Sequence, residues 1–117
     1  MSQPSTSAIL AALILLCDPS PSVAAEQSGI ASIYSTESGT KTASGAPLNP
    51  GALTAAHRRL PFGTKVRVTN KKNGHSVVVT INDRGPFMRG RIIDVTPAGA
   101  RALGFTGLTQ VTLAVEQ

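Results

Sequence analysis

The feature that most constrains the fold is Ser76 to Val95, SVVVTINDRGPFMRGRIIDV, two apolar runs joined by a polar loop. Val77, Val78, Val79, Thr80 and Ile81 are all β-branched, which suits a pleated, half-buried strand and disfavours a helix. The run ends at Asn82-Asp83, and Gly85-Pro86 then requires a turn. A second strand follows at Ile92–Val95. The first strand thus delivers a carboxylate, Asp83, to the edge of a loop with room for a ligand. The plainer role for Asp83 is to cap that turn or pair with Arg84 or Arg89.

The remaining elements follow the same logic. Gly29–Ser35 alternates apolar with small polar residues and reads as a first strand. Thr36–Pro50 is rich in Gly, Ser, Thr and Pro and reads as a long ordered loop or a hairpin of short strands. Ala52–Arg59 has the propensity of a short helix, stopped at once by Leu60-Pro61-Phe62-Gly63. Lys65–Asn70 alternates cleanly, and Asn73-Gly74 marks the turn of a hairpin into Ser76. Thr96 caps a helix opened by Pro97 and closed by Gly104, and Val111–Val115 supplies a last strand. Five or six strands and a short helix in so small a chain favour a closed barrel, which leaves no free sheet edge.

Ala8–Leu16 is an apolar run too short to cross a bilayer and typical of a signal-peptide core. Val23-Ala24-Ala25 offers a small-residue cleavage site, so residues 1–25 are expected to be a signal peptide and residues 26–117 the mature domain. Cys17 has Leu16 before it, where a lipid-anchoring signal carries a small residue, so cleavage after Ala25 is expected in place of acylation. With Cys17 removed the mature domain has no cysteine, and packing and strand pairing alone must hold it together. All 11 Lys and Arg, but only five of the 6 acids, lie after residue 25, a formal charge of +6. Such a domain seeks polyanions such as the cell wall, lipopolysaccharide or anionic lipid. A nucleic-acid role is disfavoured, because aromatics make up 3% of the chain and give no stacking platform.

From Thr42 to Val95 the chain resembles the rare lipoprotein A (RlpA) family. The resemblance is carried by TASG at 42–45, ALTAAHRRLPFGTKVRVTN at 52–70, NG at 73–74 and VVVTINDRGPFMRGRIIDV at 77–95. It implies a mainly β fold, a six-stranded double-psi β-barrel with one or two short helices, shared with expansins and barwin-type domains. It also implies a septal or cell-envelope lytic transglycosylase, exported to the periplasm and acting on peptidoglycan glycan strands, with a preference for strands stripped of peptide. On this resemblance Asp83 and His57 match the catalytic aspartate and the cleft histidine, and Tyr34 an aromatic beside the cleft. Thr42, Ser44, Asn82, Arg84, Phe87 and Arg89 are the further candidates for substrate contact. Some active members carry Glu at the position of Ala46, so a non-catalytic, expansin-like module that binds or loosens wall glycan is the alternative.

The chemistry needs few groups. Most glycosidases use two carboxylates, but in a lytic transglycosylase the C6 hydroxyl of muramic acid attacks its own anomeric carbon. One residue then serves as acid and base, and Asp83 is the candidate. Asp94 sits late in the Ile92–Val95 strand and is expected to support the site through an arginine. His57 either hydrogen-bonds substrate and orients Asp83, or is satisfied by backbone groups. Phe62 and Phe87 each stack on sugar or pack in the core. No metal or cofactor is expected, since His75 is the only other histidine and lies at a hairpin. The barrel is expected to act as a monomer.

Overall fold

The computed structural model describes residues 26–34 and 41–116; the expected signal peptide, Cys17 and the cleavage site lie outside them. The elements are β1 (Gln27–Ile33), β2 (Thr54–Ala56), β3 (Lys65–Asn70), β4 (Ser76–Asp83), β5 (Arg91–Val95), α1 (Pro97–Leu103) and β6 (Thr109–Val115). The strands close into a six-stranded barrel in the order β1-β5-β2-β4-β3-β6. Two of its pairs are parallel, β1 with β5 and β2 with β4, and the rest are antiparallel.

Period-2 alternation fills the interior. In β3, Val66 and Val68 are fully buried while Lys65 and Arg67 face water, and across the ladder Val66 lies opposite Val79. Ile81, Ile93, Val95, Val111 and Leu113 complete the core. Each large aliphatic side chain removed from water in this way contributes about 1.5–3 kcal/mol. Leu103 of α1 joins the same cluster and fastens the helix to the barrel.

The helix is capped as its sequence requires. The Thr96 hydroxyl accepts from the Gly99 amide and donates to the Ala52 carbonyl, and Pro97 occupies the first turn. Gly104 ends it in the left-handed region, at φ 74°. The buried Asn70 and the hairpin residue Asn73 both donate to the Leu103 carbonyl, so the free end of the helix is closed by side chains from the β3–β4 connection.

Two expectations are corrected. Ala52–Arg59 is not a helix: Thr54–Ala56 is a strand, because it pairs with β4 on one side and β5 on the other, and tertiary pairing overrides local propensity. The first strand starts at Gln27, earlier than Gly29, since Gln27 and Ser28 already pair with Leu113 and Thr112. The described part of the long loop agrees with an ordered loop or minimal hairpin: a turn closed by an antiparallel bridge between Lys41 and Pro47.

Candidate active site

The barrel register sets the site. Ser32 lies opposite Asp94, Asp94 opposite Ala56, and Ala56 opposite Asp83, a row across β1, β5, β2 and β4. Two carboxylates therefore stand two strand spacings apart, about 10 Å between backbones. They line one cleft of about 400 Å³ with Ser32, Tyr34, Arg84, Phe87, Met88 and Arg91.

Asp83 is held by three donors. The Tyr34 hydroxyl donates to Oδ2 at 2.7 Å, and the amides of Ala43 and Arg84 each donate to Oδ1 at 2.8 Å. Among the described residues Oδ1 is thereby filled, and Oδ2 keeps one lone pair. Burial, the hydrogen bond to Asp83 and the negative charges of Asp83 and Asp94 push the Tyr34 phenol well above its ordinary value. Tyr34 is thus a permanent donor, fixing the carboxyl group without exchanging protons with it.

The 42–45 segment contributes differently from expectation. Thr42 is buried, and its hydroxyl bonds the Ser44 hydroxyl and the Ala46 carbonyl, so both side chains shape the turn. What the segment delivers to Asp83 is the backbone N–H of Ala43. Asn82 is not among the residues lining the cleft: its carbonyl accepts from the Ser44 amide, and its side-chain oxygen is buried with no partner among the described residues.

His57 is buried, 5% exposed, and its ring is fully engaged elsewhere. Nδ1 accepts from the amides of Arg59 and Leu60, so the proton of the neutral ring sits on Nε2 and donates to the Gln27 side-chain oxygen at 3.1 Å. The ring lines a separate hollow of about 190 Å³ with Gln27, Arg58, Arg59 and Ile92. Burial first, and then the charges of Arg84, Arg58 and Arg59, hold its pKa below the ordinary histidine value. Of the two roles open to it in the sequence, the geometry matches the ring satisfied mainly by backbone.

Two arginines tie the loops around the cleft to each other. Arg84 donates to the carbonyls of His57 and Leu60 and lies 4.1 Å over the Phe62 ring. In return Arg58 donates to the carbonyls of Pro86, Met88 and Arg91, at 2.6, 3.2 and 3.1 Å. Gly85, at φ 119°, lets the chain turn between these holds. Arg58 escaped sequence reasoning because a guanidinium that grips carbonyls leaves no motif. Phe87 is 76% exposed on the cleft rim and Phe62 is 42% exposed under Arg84, so neither packs in the core. Arg89 is exposed and outside the cleft lining, while Arg91, two residues on, is part of it. Asp94 accepts from the Ser32 hydroxyl and forms no ion pair with an arginine among the described residues, which corrects the expected support by an arginine. No group of three His, Cys, Asp or Glu among the described residues is placed to hold a metal ion.

The family model described as "Lytic transglycolase" matches residues 26–115. The chain belongs to this family, as an RlpA-like double-psi β-barrel domain. It is 61% identical over 82 residues to a "Probable endolytic peptidoglycan transglycosylase RlpA" of Nostoc sp., covering 68% of this chain and 22% of that protein. It is 49% identical over 92 residues to the "Endolytic peptidoglycan transglycosylase RlpA" of Neisseria meningitidis serogroup A, covering 78% and 38% respectively. The chain thus spans between about a fifth and two fifths of the length of these curated relatives. Among solved structures, an expansin of Clavibacter michiganensis superposes with a TM-score of 0.61 at 22% identity, covering 79% of this chain and 50% of the expansin. The Streptomyces papain inhibitor superposes with a TM-score of 0.53 at 20% identity, covering 74% and 93%. These likenesses confirm the double-psi barrel.

Proposed function

We propose that residues 26–117 form an exported peptidoglycan lytic transglycosylase domain of the periplasm or cell envelope. It cleaves the β-1,4 bond between MurNAc and GlcNAc and leaves 1,6-anhydro-MurNAc ends, with Asp83 as the single general acid and base. The names of the RlpA relatives support the substrate class. The observation that carries the reading is Asp83 itself, immobilised through both oxygens with one lone pair of Oδ2 unfilled by the described residues, beside a cleft of about 400 Å³.

A protonated Asp83 donates from that position to the glycosidic oxygen as its bond to C1 breaks. The C6 hydroxyl of the same muramic acid attacks C1, the new C1–O6 bond closes the anhydro ring, and Asp83 takes up the hydroxyl proton. The carboxyl group returns to its starting state and no water is consumed. Such a positioned acid/base contributes about 10²- to 10⁴-fold in rate. Tyr34 holds the carboxyl group, Phe87 offers an exposed ring to a sugar face, and His57 acts as a positioning residue for the loop that Arg84 grips.

A second reading, a non-catalytic glycan-binding module, is favoured by Ala46. This exposed alanine stands beside the Ala43 turn, where some family members have a glutamate. Digestion of peptide-stripped peptidoglycan with the purified protein, products read by mass spectrometry, separates the two. Anhydro-muramyl ends present with wild type and missing with Asp83→Asn uphold the transglycosylase. Binding without new ends leaves the module. Cleavage to ordinary reducing ends points instead to hydrolysis by two carboxylates, with Asp94 as the second.

A further inference from the structure

Two arginines, Arg84 and Arg91, line the cleft, and two more, Arg58 and Arg89, lie on or against its loops; they differ in what their guanidinium groups hold. Arg58 and Arg84 are engaged with backbone carbonyls, and Arg89 is exposed outside the cleft lining. Arg91 is half-buried within the lining, beside Asp83, Asp94 and Tyr34. Its backbone is pinned at both ends, the amide to the Met88 carbonyl and the carbonyl to Arg58. Its guanidinium nevertheless has no hydrogen bond and no ion pair among the described residues, where the one ion pair is Arg67 with Glu116. The neighbouring acids do not use it: Asp94 takes the Ser32 hydroxyl, and Asp83 takes Tyr34 and two amides.

The cleft therefore has a divided polarity. Its carboxylates are acceptors suited to sugar hydroxyls, whereas Arg91 presents a planar fork of N–H donors without an acceptor among the described residues. The ligand group that matches such a fork is a carboxylate, bound through two parallel N–H···O bonds. A neutral hexosamine polymer offers none. Muramic acid does: its lactyl ether ends in a carboxylate that is free on a peptide-stripped strand and is converted to an amide where a peptide is attached.

We propose that Arg91 is the specificity-determining residue of the cleft and binds the lactyl carboxylate of muramic acid. The inference rests on the glycan reading given above, but it concerns recognition and not turnover. It is tested by titration calorimetry on full-length protein carrying Asp83→Asn, so that no glycan is consumed. The ligands are a peptide-stripped glycan oligomer with free lactyl carboxylates and the same oligomer with those carboxylates chemically amidated.

A hydrogen-bonded charge pair of this kind gives about tenfold tighter binding of the acidic oligomer. Adding Arg91→Gln makes the two oligomers bind alike, and Arg91→Lys, with a point charge but no fork, retains part of the preference. Lys72→Gln removes the same charge from the far end of the barrel and leaves the preference intact. Equal binding of both oligomers before Arg91 is touched overturns the inference without help from any mutant. An undiminished preference in Arg91→Gln overturns it as well, as does a preference lost equally in Lys72→Gln. Discrimination that depends on Arg91 in a protein making no anhydro ends would uphold this inference while removing the transglycosylase. Failure to bind either oligomer removes both.

Discussion

At the Ser76 end of β4, the Asn70 and Asn73 amides close the helix on the Leu103 carbonyl, and Asn70 also accepts from the Lys72 amide and the Thr109 hydroxyl. At the Asp83 end, about 23 Å away along the strand, donors likewise converge on one side chain. There, however, they leave an oxygen lone pair and a neighbouring guanidinium without partners among the described residues. Both ends are densely hydrogen-bonded, so bonding density does not mark the proposed active end. What distinguishes them is remaining capacity: the Asn70 end is satisfied, and the Asp83 end is fixed but unsaturated.

The contrast is broken or sharpened most strongly by Asp83→Asn, expected to lower turnover by about 10²- to 10⁴-fold while moving the melting temperature by only a few degrees. A collapse of the melting transition would make Asp83 a structural residue like Asn70. Asn70→Ala is the converse change. It leaves buried partners unpaired and is expected to cost about 2–3 kcal/mol, a fall on the order of 10–20 °C, with normal turnover per folded molecule. Tyr34→Phe deletes one donor from the unsaturated end and is expected to lower kcat about tenfold with little change in KM. An unaltered kcat would detach Tyr34 from the chemistry.

The smallest expected effect belongs to His57. Its pKa is lowered on folding, so the unfolded chain binds the proton first as the solution is acidified. The contribution of His57 to stability is complete above about pH 6.5 and is lost as the pH falls below that value. Wild type should therefore lose more melting temperature between pH 7 and pH 5 than His57→Gln. Parallel profiles would show that the buried ring adds no acid sensitivity.

The strands of the barrel were legible where side chains alternate or branch, as at Val66–Val68 and Val77–Ile81. The carboxylate at the end of β4 was legible because a polar pair interrupts an apolar run just before Gly-Pro. β2 was not, since Thr54-Ala55-Ala56 carries no strand pattern and owes its conformation to its neighbours. Within the site, sequence nominated the hydroxyls of Thr42 and Ser44, while the structure uses the intervening amide of Ala43, a group every residue has. It also nominated Arg89 and passed over Arg58 and Arg91. Which arginine meets a carbonyl, water or the cleft depends on the path of a glycine-jointed loop, and composition does not encode that path.

The strand order carries a consequence in time. Only β3 and β4 are neighbours both along the chain and around the barrel. Every other pairing joins segments far apart in sequence, and such contacts form late because long loops must first be closed. The β3–β4 hairpin can form early, but Asp83 meets Tyr34 and Ala43 only after β1 and the segment following it have come home. A newly made chain thus has no assembled site until the barrel shuts, and the closing of the barrel is also the step that brings the site together.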